Sequence, residues 1–392
     1  MGQLKGNIAA FEIDEITVDT QRCLNARHFK QECRHCALGC PLNAITLANG
    51  TPTIIRESCL SCGICFQLCP AEVFFSPCWS ERNLTEAFLQ ASKAFVLVCS
   101  QNDAMSSETS SFFKIGICFA GLSPGALVEL AIHHLCILDL SNCSECPFGS
   151  AQQLIVNHVE YANKILRYWD ADQNIKISIE PIALERAIKQ QEKYSSAENK
   201  DVNRTKIKWK NISANFIAQR AKLFSIPGSP MAESPLPFRL PKKHIPSWKS
   251  NLKQFWETHP QDDSPPHKSS LWPILRIDGE KCLACGACMQ FCPTGAIIHS
   301  FKENVFETTY CAGICLDCDI CALSCPNKAL RHSADYLGDP FKPRIIFSKK
   351  ALSCLVCGAP VVGSPKEQIC TWCSSEPNTQ SIFGDFKKKM DF

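Results

Sequence analysis

What this chain of 392 residues lacks narrows its chemistry before any motif is considered. It has no glycine-rich phosphate loop of the Walker or dinucleotide type, because the glycines around Gly121 and Gly125 are too sparse to form one. No nucleophile stands in a convincing constellation with a general base. Charge of one sign is missing as well. A formal net charge of +3, with its basic residues spread along the chain, gives no footprint for nucleic acid. Long hydrophobic runs are also scarce. The most apolar stretch, about residues 115–140, is broken by Pro124, Glu129, His133 and His134, so no transmembrane segment is expected. The first residues show neither a basic stretch leading into an apolar one nor a twin arginine. The expectation is a soluble chain in a reducing, cytoplasmic compartment.

What the chain has in excess is cysteine, 27 residues of it. Their order matters more than their number. Cys282, Cys285, Cys288 and Cys292, followed by Pro293, carry the spacing C-x2-C-x2-C-x3-C-P. Cys315, Cys318, Cys321, Cys325 and Pro326 repeat it, as do Cys59, Cys62, Cys65, Cys69 and Pro70. A truncated copy stands at Cys33, Cys36, Cys40 and Pro41. Disulfide frameworks do not need this spacing, whereas cubane iron–sulfur clusters do. Three thiolates packed at x2-x2 also suit a cubane better than a zinc tetrahedron.

When such motifs come in pairs, the fourth cysteine of each ligates the cluster of the other. The later pair then gives two complete sets: Cys282, Cys285, Cys288 with Cys325, and Cys315, Cys318, Cys321 with Cys292. The earlier pair gives Cys59, Cys62, Cys65 with Cys40. The remaining set has Cys33, Cys36 and Cys69, but Lys30 stands where the first thiol belongs, and a protonated lysine is a poor iron ligand. Two readings are open: a three-iron cluster, or a chain that folds back so that Cys23 supplies the fourth thiolate. Pro41, Pro293 and Pro326 are each expected to open a short helix after the fourth cysteine. Gly63 and Gly286 are expected to let the backbone approach the cluster sulfurs closely.

The residues divide into five stretches: 1–85, 90–185, 186–270, 271–340 and 345–380. In the second, AFVLVC (94–99), FKIGIC (113–118) and CILDL (136–140) read as buried parallel strands. Residues 123–135 and 150–169 read as helices, the first with Ser123 as N-cap and Pro124 in its first turn. Cys99, Cys118, Cys143 and Cys146 follow these strands, and strand ends in a parallel sheet share one edge. They are either separately buried thiols or a metal or further iron–sulfur site. His133 and His134 read as packing residues. Residues 186–270 are charged and then proline-rich, which suggests a linker or an extended partner-binding arm with Trp209, Phe216, Phe224, Trp248 and Phe255 as anchors. Near the end, Cys354 and Cys357 form one C-x2-C knuckle and Cys370 and Cys373 another. They suit a structural zinc, or a single iron held by the same ligands. Cys78, Cys136 and Cys311 have no assigned role.

Residues 20–80 and 275–335 resemble the dicluster ferredoxin domains found in electron-transfer subunits of molybdopterin oxidoreductases, hydrogenases and heterodisulfide-reductase-like assemblies. The middle stretch is more diffusely similar to the small iron–sulfur subunit of methyl-viologen-reducing hydrogenases, and the last knuckles resemble a zinc ribbon. The resemblance implies an α+β multidomain fold, with two ferredoxin-like dicluster modules flanking a small parallel α/β domain. It implies four 4Fe-4S clusters and a role as a non-catalytic electron-transfer subunit between a catalytic oxidoreductase subunit and a second carrier. Two other functions are compatible with the same cysteines: an iron–sulfur assembly or maturation factor, and a redox sensor.

Overall fold

The computed structural model describes residues 13, 15–90, 96–101, 112–132, 135–171, 174–180, 240–259, 271–333, 338–362 and 368–374. Its first part is small and irregular because cysteine loops occupy most of it. Strand β1 (Thr17–Val18) leads into two short helices, α1 (Leu24–Arg27) and α2 (His35–Gly39), and then a hairpin of β2 (Ile45–Ala48) and β3 (Thr51–Ile54). The hairpin turn is Asn49-Gly50, both at positive φ (50° and 79°), the pairing that a tight two-residue turn demands. Helix α3 (Cys65–Leu68) and strand β4 (Phe74–Phe75) follow. β4 returns to pair antiparallel with β1, closing the unit.

Helix α4 (Glu81–Gln90) connects to a wholly parallel sheet of β5 (Val96–Val98), β6 (Phe112–Lys114), β7 (Cys136–Asp139) and β8 (Ile175–Ser178), in the order β6-β5-β7-β8. Helix α5 (Pro124–Ala131) begins as the sequence suggests, with Ser123 Oγ accepting the Ala126 N–H and Pro124 in the first turn. Helix α6 (Gln152–Leu166) packs against it. Cys118 does not end a strand: β6 stops at Lys114, and Cys118 caps a 3-10 turn at Phe119–Gly121.

The proline-rich stretch holds a correction. Within it, residues 240–259 form an ordered segment whose helix α7 (Ser247–Thr258) lies in the core of this chain. Leu252 and Trp256 are buried, and Trp256 meets the rings of Tyr168, Trp169, Trp272 and Phe341. Trp248 and Phe255 pack against this same core and are not free anchors for a partner. The aromatic spacing of an amphipathic helix outweighs the prolines on either side. Trp209, Phe216 and Phe224 lie outside the described residues, as do His133 and His134.

The later part repeats the first with longer strands. Strand β9 (Ile274–Ile277) leads to α8 (Ala287–Phe291), the hairpin β10 (Ile297–Lys302) and β11 (Val305–Tyr310), α9 (Ile320–Leu323) and β12 (Leu330–Ser333), which pairs back with β9. Strand β13 (Arg344–Lys350) extends the hairpin to three strands, and a small hairpin of β14 (Leu352–Ser353) and β15 (Pro360–Val361) precedes α10 (Thr371–Ser374). One hydrophobic core runs from Ile16 and Phe74 through the parallel sheet and α7 to Phe291 and Phe341.

The short helices lie before the fourth cysteines, not after them. Behind Pro41, Pro293 and Pro326 the chain makes one turn with Asn43, Gly295 or Lys328 at positive φ and enters a strand. The turn is stabilised by the cysteine it encloses: Ala44 N–H and Ala329 N–H donate to Cys40 Sγ (3.4 Å) and Cys325 Sγ (3.2 Å). An apolar run after proline reads as a helix start, yet a thiol acceptor competes for those N–H groups.

Candidate metal centres

The x2-x2 loops wrap because the residues between their cysteines reverse the backbone. Ser61 and Gly63, Ala284 and Gly286, and Asp317 and Asp319 all sit at φ between 50° and 78°. Each loop thereby turns its three thiols toward one point. Around those points the structure leaves three small, largely apolar pockets. One is lined by Cys282, Cys285, Cys288 and Cys325. The second is lined by Cys292, Cys315, Cys318 and Cys321. The third is lined by Cys40, Cys59, Cys62 and Cys65. Cys325 lies with the Cys282 loop, Cys292 with the Cys315 loop and Cys40 with the Cys59 loop.

The remaining thiols of the first part, Cys23, Cys33, Cys36 and Cys69, also come together. Burial pushes Cys36 up to about 11 and Cys69 to about 12, and Cys23 lies close enough to raise both further. Cys23 caps the start of α1, while Lys30 turns its ammonium over the Phe29 ring, 5.4 Å from its centre. Asn25 makes the fold-back. Its Oδ1 accepts the Cys33 N–H (2.7 Å), and its Nδ2 donates to the carbonyls of Cys33 (2.9 Å) and Gly50 (2.7 Å). Nothing in the cysteine spacing points to Asn25.

Cys99, Cys118, Cys143 and Cys146 gather at the carboxyl edge of the parallel sheet, where the strand order reverses on either side of β5. Burial raises Cys118 to about 12 and Cys143 to about 11, and each also senses Cys99. This quartet abuts the Cys62 loop directly: the Cys118 N–H donates to the Cys62 carbonyl at 3.0 Å. A Cβ at Gly121 would lie 2.7 Å from the Gly63 carbonyl oxygen, so only glycine permits that approach.

Cys354, Cys357, Cys370 and Cys373 differ in scale. Their ligand atoms all lie within 4.8 Å of one another, and Cys357 Sγ is 3.5 Å from Cys370 Sγ. A tetrahedral ion with bonds of about 2.3 Å needs sulfurs about 3.8 Å apart, so this set fits one ion and leaves no room for a cubane. The Cys370 N–H donates to Cys354 Sγ and lowers that thiol to about 6, giving a ready thiolate. The knuckle touches its neighbour through Trp372, whose indole N–H donates to the Cys285 carbonyl at 2.6 Å.

Another junction joins the two halves of the chain, although more than two hundred residues separate them in sequence. The buried Arg27 donates to the carbonyls of Phe291 (3.1 Å), Gln290 (3.1 Å) and Cys292 (3.2 Å), as well as to those of Pro241 and Lys242. His28 meets Phe291 edge-on. Beside this junction lies an open cleft, lined in part by Cys33, Cys318, Leu38 and Leu323. Glu72, in the turn after Cys69, adds a bond to His244 (2.6 Å) and accepts the Ser247 N–H (3.0 Å) at the start of α7. Residues beside the quartets therefore tie the cysteine-rich parts of the chain together.

The all-sulfur donor sets suit cubane chemistry, and known proteins point the same way. The family model described as a 4Fe-4S binding domain matches residues 275–298, which includes Cys282, Cys285, Cys288 and Cys292. An uncharacterized ferredoxin of Methanocaldococcus jannaschii is 27% identical over 117 residues, covering 27% of this chain and 72% of the relative. These likenesses support an iron–sulfur electron-transfer protein of ferredoxin-like character. Among the described residues, no helix is long and apolar enough to cross a membrane.

Proposed function

We propose that the chain is the electron-transfer subunit of a multi-subunit oxidoreductase, relaying single electrons through four 4Fe-4S clusters in a cytoplasmic complex. When bound, a cubane supplies a one-electron redox couple whose potential depends on charge, hydrogen bonds and burial. The observation that carries this reading is the set of thiol quartets tied together by the Cys118–Cys62, Arg27–Cys292 and Trp372–Cys285 hydrogen bonds. The ligand sets are Cys40, Cys59, Cys62, Cys65; Cys23, Cys33, Cys36, Cys69; Cys292, Cys315, Cys318, Cys321; and Cys282, Cys285, Cys288, Cys325. Cys99, Cys118, Cys143 and Cys146 extend the row as a fifth iron–sulfur site. Cys354, Cys357, Cys370 and Cys373 hold a structural zinc.

The chain's own work is to gather these thiols into sets, keep water from them and fix the sets against one another. Ile16, Ile45 and Ile64 around Cys40 and Cys65 are buried and apolar, as are Ala284, Ala287 and Ala329 around Cys285. The continuous core and the Arg27 junction favour permanent relay over transient cluster delivery, because delivery needs ligands that can open. Purification from the native host provides the test. A stoichiometric complex with a cofactor-bearing catalytic subunit is the expected result. Transient association with an apo-enzyme instead would support a maturation factor and overturn this proposal.

A further inference from the structure

Charge is distributed unevenly along the row of quartets. Among the described residues, Arg27 and Lys249 are the only lysines or arginines that are buried, 3% and 6% exposed. Both sit at the same quartet. Arg27 bonds the Cys292 carbonyl and acts electrostatically on Cys292 and Cys318. Lys249 donates to the Gly313 carbonyl at 3.1 Å, two residues before Cys315, and acts on Cys315. Lys243, nearer the surface, adds a third positive charge facing Cys292.

Among the described residues, neither buried cation has a carboxylate partner. Every hydrogen bond of Arg27 goes to a carbonyl, and Lys249 has only Gly313 and the faces of Trp248 and Trp272, 4.6 and 5.9 Å from their centres. Asp317 is exposed and also acts electrostatically on Lys249. A buried charge without a counter-charge is costly, and two at one place call for a strong local anion. Four thiolates on a cluster supply it. Near Cys282 the cations are Lys349, half-exposed and paired with Glu280, and Lys243, which also acts on Cys288; neither is buried.

We propose that Arg27 and Lys249 make the centre at Cys292, Cys315, Cys318 and Cys321 the highest-potential cubane of the row, the place where an electron comes to rest. This rests on the iron–sulfur reading above. The step takes one electron from an external reductant, with no bond made or broken, and adds negative charge to an already anionic centre. Nearby cations stabilise the reduced form more than the oxidised one.

The test is a dithionite titration of the full, anaerobically reconstituted chain, followed by electron paramagnetic resonance with iron content measured in parallel. Cys318→Ala identifies which signal belongs to this centre, and that signal is expected to be the first to appear. In Lys249→Met, at the potential where this signal is half-developed in the parent, the reduced-to-oxidised ratio is expected to fall at least tenfold. That is about 59 mV for one electron. The other signals stay in place, and Lys249→Arg restores the first. If Lys249→Met loses its iron here, Arg27→Gln carries the decision with the same expected fall. An unmoved first signal in the iron-replete variant, or a first signal that survives Cys318→Ala, overturns the proposal. A parent chain that takes up no iron instead overturns the electron-transfer reading beneath it.

Discussion

Replacing Asn25 with alanine tests whether the fold-back of Cys23 rests on one side chain. The amide makes three hydrogen bonds of 2.7–2.9 Å, two of them gripping the backbone of Cys33 from both sides. Each neutral hydrogen bond contributes about 1 kcal/mol net, and a donor left without a partner out of water costs about 1–3 kcal/mol. The bond to Gly50 is exposed, so water replaces it at little cost. The two to Cys33 are half-buried, and their loss comes to about 2 kcal/mol. If opening of this loop limits access to the Cys23, Cys33, Cys36, Cys69 set, that figure corresponds to roughly 30-fold faster opening. The assay is iron release to a coloured chelator under anaerobic conditions. About one quarter of the cubane iron should leave roughly 30-fold faster in Asn25→Ala, and the rest at the parent rate. Asn25→Asp keeps the acceptor and loses both donor bonds, so it should fall between them. An unchanged release profile in Asn25→Ala would refute the reasoning.

Three other substitutions probe neighbouring links. Cys23→Ala should remove one cubane signal with about four irons, or leave a three-iron signal in its place; full iron content with unchanged spectra would show that Cys23 is no ligand. Gly121→Ala should lower the urea midpoint and destabilise the chain by about 1–3 kcal/mol, since its Cβ would press on the Gly63 backbone; an unchanged midpoint would show that the domains are not locked there. Glu81→Gln tests a buried carboxyl between α4 and α5. Burial raises Glu81 to about 7 although Ser123 donates through both its N–H (2.5 Å) and its hydroxyl (2.6 Å). Because the folded value lies above the unfolded one, its stabilising contribution is complete below about pH 4.5 and is lost as pH rises through 7. The parent's stability relative to Glu81→Gln should therefore fall by about 2–3 kcal/mol between pH 5 and 8; parallel profiles would contradict this.

The spacing of the cysteines carried most of the site, because a wrapping loop of fixed length leaves three thiols few places to go. The placing of Cys325 beside the Cys282 loop and of Cys292 beside the Cys315 loop was also legible from the motif pair. The parallel strands were legible from their apolar runs and the start of α5 from Ser123 and Pro124. Local pattern misled after Pro41, Pro293 and Pro326, where the chain turns, at Pro41 and Pro326 onto a sulfur acceptor. Composition misled around α7, whose helical face is hidden among prolines. Asn25, Arg27, Lys249 and Trp372 left no signal, since each acts on a backbone carbonyl or N–H that only the folded chain brings within reach. The contact between the two cysteine-rich halves belongs to the same class: it depends on Arg27 meeting Gln290, Phe291 and Cys292 across the whole molecule.

The most direct measurement is Mössbauer spectroscopy of the iron-57-reconstituted full chain, combined with total iron and zinc. Four cubanes predict about sixteen irons in valence-delocalised 4Fe-4S environments. Iron beyond that number belongs to the Cys99, Cys118, Cys143, Cys146 site, and one zinc belongs to the Cys354 knuckle. A chain that binds only isolated ferrous or zinc ions in its thiol quartets would contradict the account.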